Sequence, residues 1–337
     1  MSRIIFPKKI LSIVVPSFNS EKTIGNLLES INTSKFNFFE NIEAIIVDDK
    51  SKDRTKDVVN RLIPLLKFSA KFIILKKHAG PGAARNKGAS IAKGVCLLFL
   101  DSDVELKLNT LALAYRLAKN NHKKVFTGIW DWKQKTDKFF PQFKAFRDWS
   151  YWLFERKKNS RYYLFSTRIA GIEKKIFYQV GRFDEKYSQL EDFDLTYRIE
   201  KISPIQFCPD LKVTHEFEDF LPIAKKYFKR SVVWAQLYRK RYQFDPVATT
   251  KKEALKSVIA TLIFVFSLIG ILIHQSIVMA IILFLVYAYL ERQFWLFLMK
   301  KKGFIFLLQA IPTSIILYFI INLGAFWGFL SSRSVDS

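Results

Sequence analysis

Val95-Cys96-Leu97-Leu98-Phe99-Leu100-Asp101-Ser102-Asp103 runs six apolar residues straight into two carboxylates separated by one serine. An uninterrupted apolar run of this length reads as a strand buried on both faces, as in a parallel sheet covered by helices. The strand ends by presenting acid at its tip, and in an open α/β sheet the ligand crevice lies outside the carboxyl ends of the strands. The same pattern recurs upstream. Ile10 to Val15 is a continuous apolar run closed by Pro16, followed by Ser17-Phe18-Asn19-Ser20 and then by Ile24, Leu27, Leu28 and Ile31 at helical spacing. Ile42 to Val47 ends in Asp48-Asp49-Lys50-Ser51, with Asp53 placed to cap a helix. Lys71 to Leu75 makes a further strand, followed by His78-Ala79-Gly80-Pro81-Gly82 and a small-residue helix from Ala83 to Ala89. Four apolar strands alternating with helical segments predict a doubly wound, mostly parallel α/β sheet with right-handed crossovers.

A chain of 337 residues holds one large domain or two ordinary ones, and 50% apolar content excludes general disorder. The net charge of +24 points to an anionic partner, either nucleic acid or a membrane surface. Cys96 and Cys208 make no disulfide framework and read as reduced residues of a cytosolic compartment. Ile4-Ile5-Phe6 is broken at once by Pro7-Lys8-Lys9, so no signal peptide is expected.

Leu11-Ser12-Ile13-Val14-Val15-Pro16-Ser17-Phe18-Asn19, Ile46-Val47-Asp48-Asp49-Lys50-Ser51-Lys52-Asp53-Arg54-Thr55, Gly82-Ala83-Ala84-Arg85-Asn86-Lys87-Gly88 and Leu100-Asp101-Ser102-Asp103 together resemble the successive motifs of family 2 glycosyltransferases. The likeness continues through Gly181-Arg182-Phe183-Asp184-Glu185, Glu191-Asp192-Phe193-Asp194-Leu195 and His215. It implies a GT-A fold over residues 1–218, Rossmann-like with a mostly parallel sheet, binding a nucleotide diphosphate sugar. Pro16, Ser17, Asp48 and Asp49 are then expected at the base and ribose, and Asp101 at the ribose or at the water shell of a metal. Arg85 suits the pyrophosphate or neighbouring acids, and Glu191 belongs with the same donor site. Asp103 and His215 are the expected ligands of Mg²⁺ or Mn²⁺, which would neutralise the leaving diphosphate. Asp192, in the first turn of a helix, is the expected base that takes the acceptor proton in an inverting transfer. Lys50 departs from the Gly or Asn common at its position in the family.

Aromatic and basic residues interleave over 139–165, and Phe143, Phe146, Trp149 and Trp152 recur at a spacing that suits a helix. The stretch 219–250 repeats that composition, and both suit helices lying in a membrane interface. Residues 251–337 are expected to form a membrane domain with about three spans at 257–273, 276–299 and 304–330, since ~20 apolar residues cross a bilayer. Pro312 is a candidate kink. Lys251, Lys252 and Lys256, then Lys300 to Lys302, place those ends and the catalytic domain on the cytoplasmic face of the cell membrane. The basic excess then meets anionic inner-leaflet lipids, and no nucleic-acid partner is expected. The expected acceptor is a hydroxyl of a membrane-associated, lipid-linked or cell-envelope glycan. Transfer to a polyprenyl phosphate, which leaves Asp192 without that task, and a non-catalytic membrane scaffold are the competing readings.

Overall fold

Eight strands form one mixed sheet in the order β3-β2-β1-β4-β7-β6-β8-β5. The computed structural model describes residues 9–120, 124–151, 164–186, 190–241 and 250–331. The chain divides into two units, Met1–Lys133 with Ser160–Glu216, and Gln134–Asn159 with Phe217–Ser337.

In the first unit β1 (Leu11–Ser17), β2 (Ile42–Asp48), β3 (Ser69–Ile74) and β4 (Cys96–Leu100) are the apolar runs singled out above, and all four are parallel. Helices α1 (Ile24–Asn32), α2 (Thr55–Leu62) and α3 (Pro81–Ile91) alternate with them. β1, β2 and β4 are buried at every position, whereas the edge strand β3 is not. That difference follows from their places in the sheet, since helices cover both faces of a central strand. β2 and β3 lie to one side of β1 and β4 to the other, so the chain reverses direction across the sheet between β1 and β4. Such a switch point opens a crevice at the carboxyl ends of the two strands, where Ser17 and Asp101 sit.

The other half of the sheet departs from the parallel pattern. β7 (Ile169–Glu173) is antiparallel to β4 and to β6 (Val125–Trp130), β8 (Gln206–His215) is parallel to β6, and β5 (Val104–Leu106) closes the edge antiparallel to β8. The strand expected at Ile205 to Cys208 thus continues to His215, with the β6–β8 register shifted between Thr127 and Ile129. Helices α4 (Thr110–Lys119), α6 (Lys174–Gln179) and α7 (Glu191–Glu200) complete this unit. Small residues set how closely α3 lies on the sheet. A Cβ added to Gly88 would come within 2.5 Å of Val14 Cγ1 and 3.4 Å of Val47 Cγ2, both on fully buried side chains.

The second unit holds α5 (Phe139–Ser150), α8 (Phe220–Arg241), α9 (Lys251–Ile269), α10 (Gln275–Lys302) and α11 (Phe304–Leu330). Among the described residues two helices, α10 and α11, are long and apolar enough to cross a membrane, rather than the three expected. The stretch placed at 257–273 falls mostly in α9, which begins with Lys251, Lys252, Glu253 and Lys256 and stops at Ile269, where Gly270 starts a turn. α11 runs unbroken through Pro312. The aromatic stripe of α5 is packing surface: Phe139 meets Phe306 at 4.8 Å between ring centroids, and Phe146 meets Phe297 at 5.4 Å. Trp152 and the aromatic and basic residues up to Tyr163 lie outside the described residues.

Four charges cluster among these helices, two of them buried and two partly so. Arg147 of α5 forks onto Glu291 of α10 at 2.9 and 3.2 Å, donates to Tyr318 of α11 and lies 3.8 Å from Glu253 of α9. Lys256 bridges Glu253 at 2.9 Å and Glu291 at 3.2 Å. Glu291 is 1% exposed and Lys256 3%. Two cations and two carboxylates therefore compensate one another in a largely buried setting, and the bidentate guanidinium supplies the geometry that such burial demands.

Two substitutions test this packing. Gly88→Ala gains ~1 kcal/mol in helix propensity but loses ~1–3 kcal/mol to overpacking against Val14, so the unfolding midpoint should fall. Arg147→Met should cost about 3–5 kcal/mol by stranding Glu291, and Arg147→Met with Glu291→Leu should recover most of the loss in the same denaturation series.

Candidate active site

Arg85 is where the site is assembled. It lies on the buried side of α3, between Ala84 and Asn86, and is 3% exposed. Its Nη2 donates to Asp101 Oδ1 at the end of β4 (2.6 Å), and its Nη1 donates to Glu191 Oε1 at the start of α7 (2.7 Å). Burial works against the guanidinium charge, and the two carboxylates more than restore it, raising the arginine above its ordinary pKa. The ring of Phe183 lies 5.4 Å from the guanidinium carbon. Asn86 holds that ring's backbone, donating to the Phe183 carbonyl (2.9 Å) and accepting from its N–H (3.1 Å). Gly82 completes the approach, since a Cβ there would meet Phe183 Cβ at 3.5 Å and Glu191 Cβ at 3.8 Å. The Gly-Ala-Ala-Arg-Asn run thus locks onto both later motifs, Gly-Arg-Phe-Asp-Glu and Glu-Asp.

Asp103 stands just past Asp101, where the chain turns into β5. Val104 pairs with His215 across β5 and β8, which sets His215 Nε2 3.3 Å from Asp103 Oδ2. The Asp103 side chain is half exposed and that of His215 10% exposed. Partial burial pushes the Asp103 carboxyl up, but the His215 contact and the charge of Arg168 outweigh it and hold the group at about 2. Arg168, just before β7, lies with its guanidinium carbon 4.6 Å from the Trp130 ring. Ser102 Oγ is 2.8 Å from Ser20 Oγ, tying the turn to the loop after β1.

The acids after β2 face inward. Pro16 and Ser17 pair with Val47 and Asp48 in the β1–β2 ladder, and Ser17 Oγ donates to Asp48 Oδ1 (3.3 Å). Asp48 also accepts from the Ser51 N–H (3.0 Å). Asp49 accepts from the N–H groups of Ala79 (2.7 Å) and Gly80 (2.8 Å) and lies 2.9 Å from His78 Nδ1. Both carboxylates are buried and shape the loops after β2 and before α3. Lys50, between them and Ser51, has φ +66°, the left-handed region in which Gly or Asn is the easier occupant. Asp53 accepts from the N–H groups of Thr55 and Glu21, both at 3.0 Å; desolvation raises its pKa, but these bonds and the Thr55 hydroxyl lower it further.

Glu191 and Asp192 open α7 after Leu190, which has φ +68°, and Asp194 adds a third acid to the first turn. Helix N-termini favour such anions. The Phe193 N–H donates to Asp192 Oδ1 at 3.0 Å. Among the described residues no cluster of three metal-ligating side chains occurs. Asp103 and His215 nevertheless offer one oxygen and one nitrogen close enough to share one ion at ~2.0–2.2 Å bond lengths, with phosphate and water oxygens completing its shell. The residues fit a divalent ion held mainly by its substrate.

The structure therefore brings Arg85, Asp101 and Glu191 into direct contact, and likewise Asp103 with His215 and Ser17 with Asp48. Asp49 turns instead toward the loop at residues 78–80. Sequence reading did not single out Arg168, Ser20 or Phe183. Phe183 lay inside a quoted motif, whereas Arg168 and Ser20 sit in no pattern that marks a site.

The sequence profile described as Glycosyl transferase family 2 matches residues 12–177. The poly(ribitol-phosphate) beta-glucosyltransferase of Bacillus spizizenii is 35% identical over 121 residues, 35% of this chain and 18% of that protein. A GalNAc(5)-diNAcBac-PP-undecaprenol beta-1,3-glucosyltransferase of Campylobacter jejuni is 32% identical over 116 residues, 34% of this chain and 37% of that protein. The match spans less than half of either relative. In fold, the chain is similar to a mannosyltransferase of Pyrobaculum calidifontis solved in complex with GDP-Man and Mn²⁺, at TM-score 0.58 and 13% identity, covering 96% of this chain and 88% of that one. Residues 12–177 thus carry a glycosyl transferase family 2 domain, and the mixed eight-stranded sheet is GT-A-like.

Proposed function

We propose that the protein is a membrane-anchored, inverting glycosyltransferase that moves a sugar from a nucleotide diphosphate sugar to a hydroxyl of a lipid-linked or cell-envelope glycan. The observation that carries this reading is the Arg85 bridge, which ties the acid at the tip of β4 to the helix turn bearing Asp192. Donor and acceptor groups are thereby held in one frame, as a two-substrate displacement requires. Relatives that act on poly(ribitol phosphate) and on an undecaprenol-linked glycan support the acceptor class.

Asp192 accepts the proton of the attacking hydroxyl as the new bond forms at the anomeric carbon, opposite the departing diphosphate, which gives inversion. Arg168 faces the diphosphate with positive charge. Asp48 and Asp49, with Pro16 and Ser17, form the nucleotide end through the loops they hold. Asp103 and His215 would hold Mg²⁺ or Mn²⁺, which when bound neutralises charge on the leaving group. The basic, aromatic helix α8 and the apolar α10 and α11 support anchoring at an anionic membrane surface, with the catalytic unit on the cytoplasmic face.

The test is metal-dependent release of nucleoside diphosphate from a panel of sugar nucleotides, with lipid extract as acceptor. A flat response throughout would leave a non-catalytic scaffold as the better reading. Asp192→Asn should lower kcat by ~10²–10⁴-fold with donor binding retained, and unaltered transfer to a lipid phosphate in that variant would favour the polyprenyl-phosphate reaction instead. Asp103→Ala should remove the Mn²⁺ dependence of nucleotide binding in calorimetry. Arg85→Lys, which keeps the charge but not the fork, should cost ~10²-fold in kcat without unfolding the protein.

A further inference from the structure

α8 tracks the C-terminal half of α11 in the same direction. Added Cβ atoms on Gly324 and Gly328 would lie 2.5 Å from the Phe228 carbonyl oxygen and 2.4 Å from that of Val232, so the two backbones touch where small residues allow it. Further on, Gln236 Nε2 donates to Ser331 Oγ (3.1 Å) and Arg239 Nη1 donates to the Phe329 carbonyl (3.0 Å). α9 is level with the same half, because the Tyr318 hydroxyl donates to Glu253 (2.8 Å) and Asn322 Nδ2 to the Ser257 carbonyl (2.8 Å). The other half of α11 is flanked by α5, through Phe139 against Phe306 and Arg147 against Tyr318.

Both flanks belong to the transferase side of any membrane. α8 exposes Lys225, Lys226, Lys229, Arg230 and Arg239, and it starts five residues after β8 ends at His215. α5 lies between β6 and β7 of one sheet, so reaching the far side would take two crossings within residues 131–168, where no apolar span exists. α11 has 27 residues, ~40 Å at ~1.5 Å per residue, against ~30 Å of hydrocarbon. If it crossed, any ~30 Å of its length would take part of α8 into the core with exposed cations toward lipid, which bilayers do not tolerate.

We propose that α8 to α11 form a monotopic platform lying along one leaflet, with no crossing. α8 packs on α11, α11 on α9 and α10, and α9 on α10, so the basic α8 and the apolar α10 lie on different flanks of the pair α9 and α11. α10 exposes Ile277, Ile281, Leu285, Val286 and Leu296 to the acyl chains, and Arg292 reaches the headgroups by snorkelling. The reading rests on the membrane anchoring proposed above and narrows it to one face of an anionic bilayer.

Single cysteines test it at Gln275 and Lys301, both exposed, and after Ser337, in a Cys208→Ser background of the full chain. In intact spheroplasts an impermeant maleimide should label none of them above background, and after permeabilisation all three. Labelling from outside at Gln275→Cys and at the C-terminus, with Lys301→Cys protected, is the pattern of three crossings and overturns the platform. Outside labelling of Lys301→Cys alone means a two-crossing hairpin and overturns it equally. Recovery of the chain in the soluble fraction overturns the anchoring itself, and the platform with it.

Discussion

A single guanidinium between two carboxylates holds the catalytic unit's working parts together. Asp101 ends a strand laid down early in the sheet, and Glu191 begins a helix after the sheet has turned antiparallel; only Arg85 touches both. Taking three charged groups out of water is costly, and the cost is met only if the geometry is near ideal. Here each bond is short, and the Phe183 ring covers the guanidinium face. One cation against two carboxylates leaves that cluster negative, with Asp103 and Asp192 adjoining it and Arg168 opposing them. An excess of acid at the mouth of a crevice is what a divalent cation with its bound phosphates would balance.

That arrangement depends on small residues more than on the charges themselves. Gly82 lets α3 come up against Phe183 and Glu191, and Gly88 lets the same helix settle on Val14 and Val47. A bulkier helix would stand farther from the sheet, and an arginine side chain of fixed length would no longer span from α3 to both acids. Asn86, the next residue, spends its amide on the Phe183 backbone, so the loop that carries the ring cannot drift from the charge it covers. Positioning of the Glu191–Asp192 turn is thus settled in α3, far from it in sequence.

This explains which parts were legible in the sequence. The four parallel strands were, because burial on both faces writes itself as continuous apolar runs, and each ended within a residue or two of its expected limit. The antiparallel half was not, since β5 has three residues and β6 and β7 carry no alternation that sets them apart. The Asp-Ser-Asp turn and the Glu-Asp turn could be found by motif, but their link through Arg85 joins residues 106 apart and leaves no local trace. Asp48 and Asp49 were legible as strand-end acids, but the loop amides that they accept from, at Ser51, Ala79 and Gly80, left no mark in the sequence. The unusual lysine at position 50 marked a real feature, a left-handed turn. The apolar run from Ser257 proved to be the tail of a longer helix whose first turns carry charge into the bundle, a feature visible only in three dimensions.

Those buried charges also bear on why a stretch from the middle of the transferase sequence packs with the C-terminal helices. Apolar helices meeting in lipid gain little from burial alone, because acyl chains are as apolar as leucine. Arg147 changes this. Its fork onto Glu291, with Lys256 and Glu253 completing the set, is satisfied in one register of α5, α9, α10 and α11, and any slip leaves a charge without its partner in a dry place. The aromatic faces of α5 would tolerate several packings, but the ion network admits one. The charges at the start of α9 therefore specify how the helices of the second unit assemble.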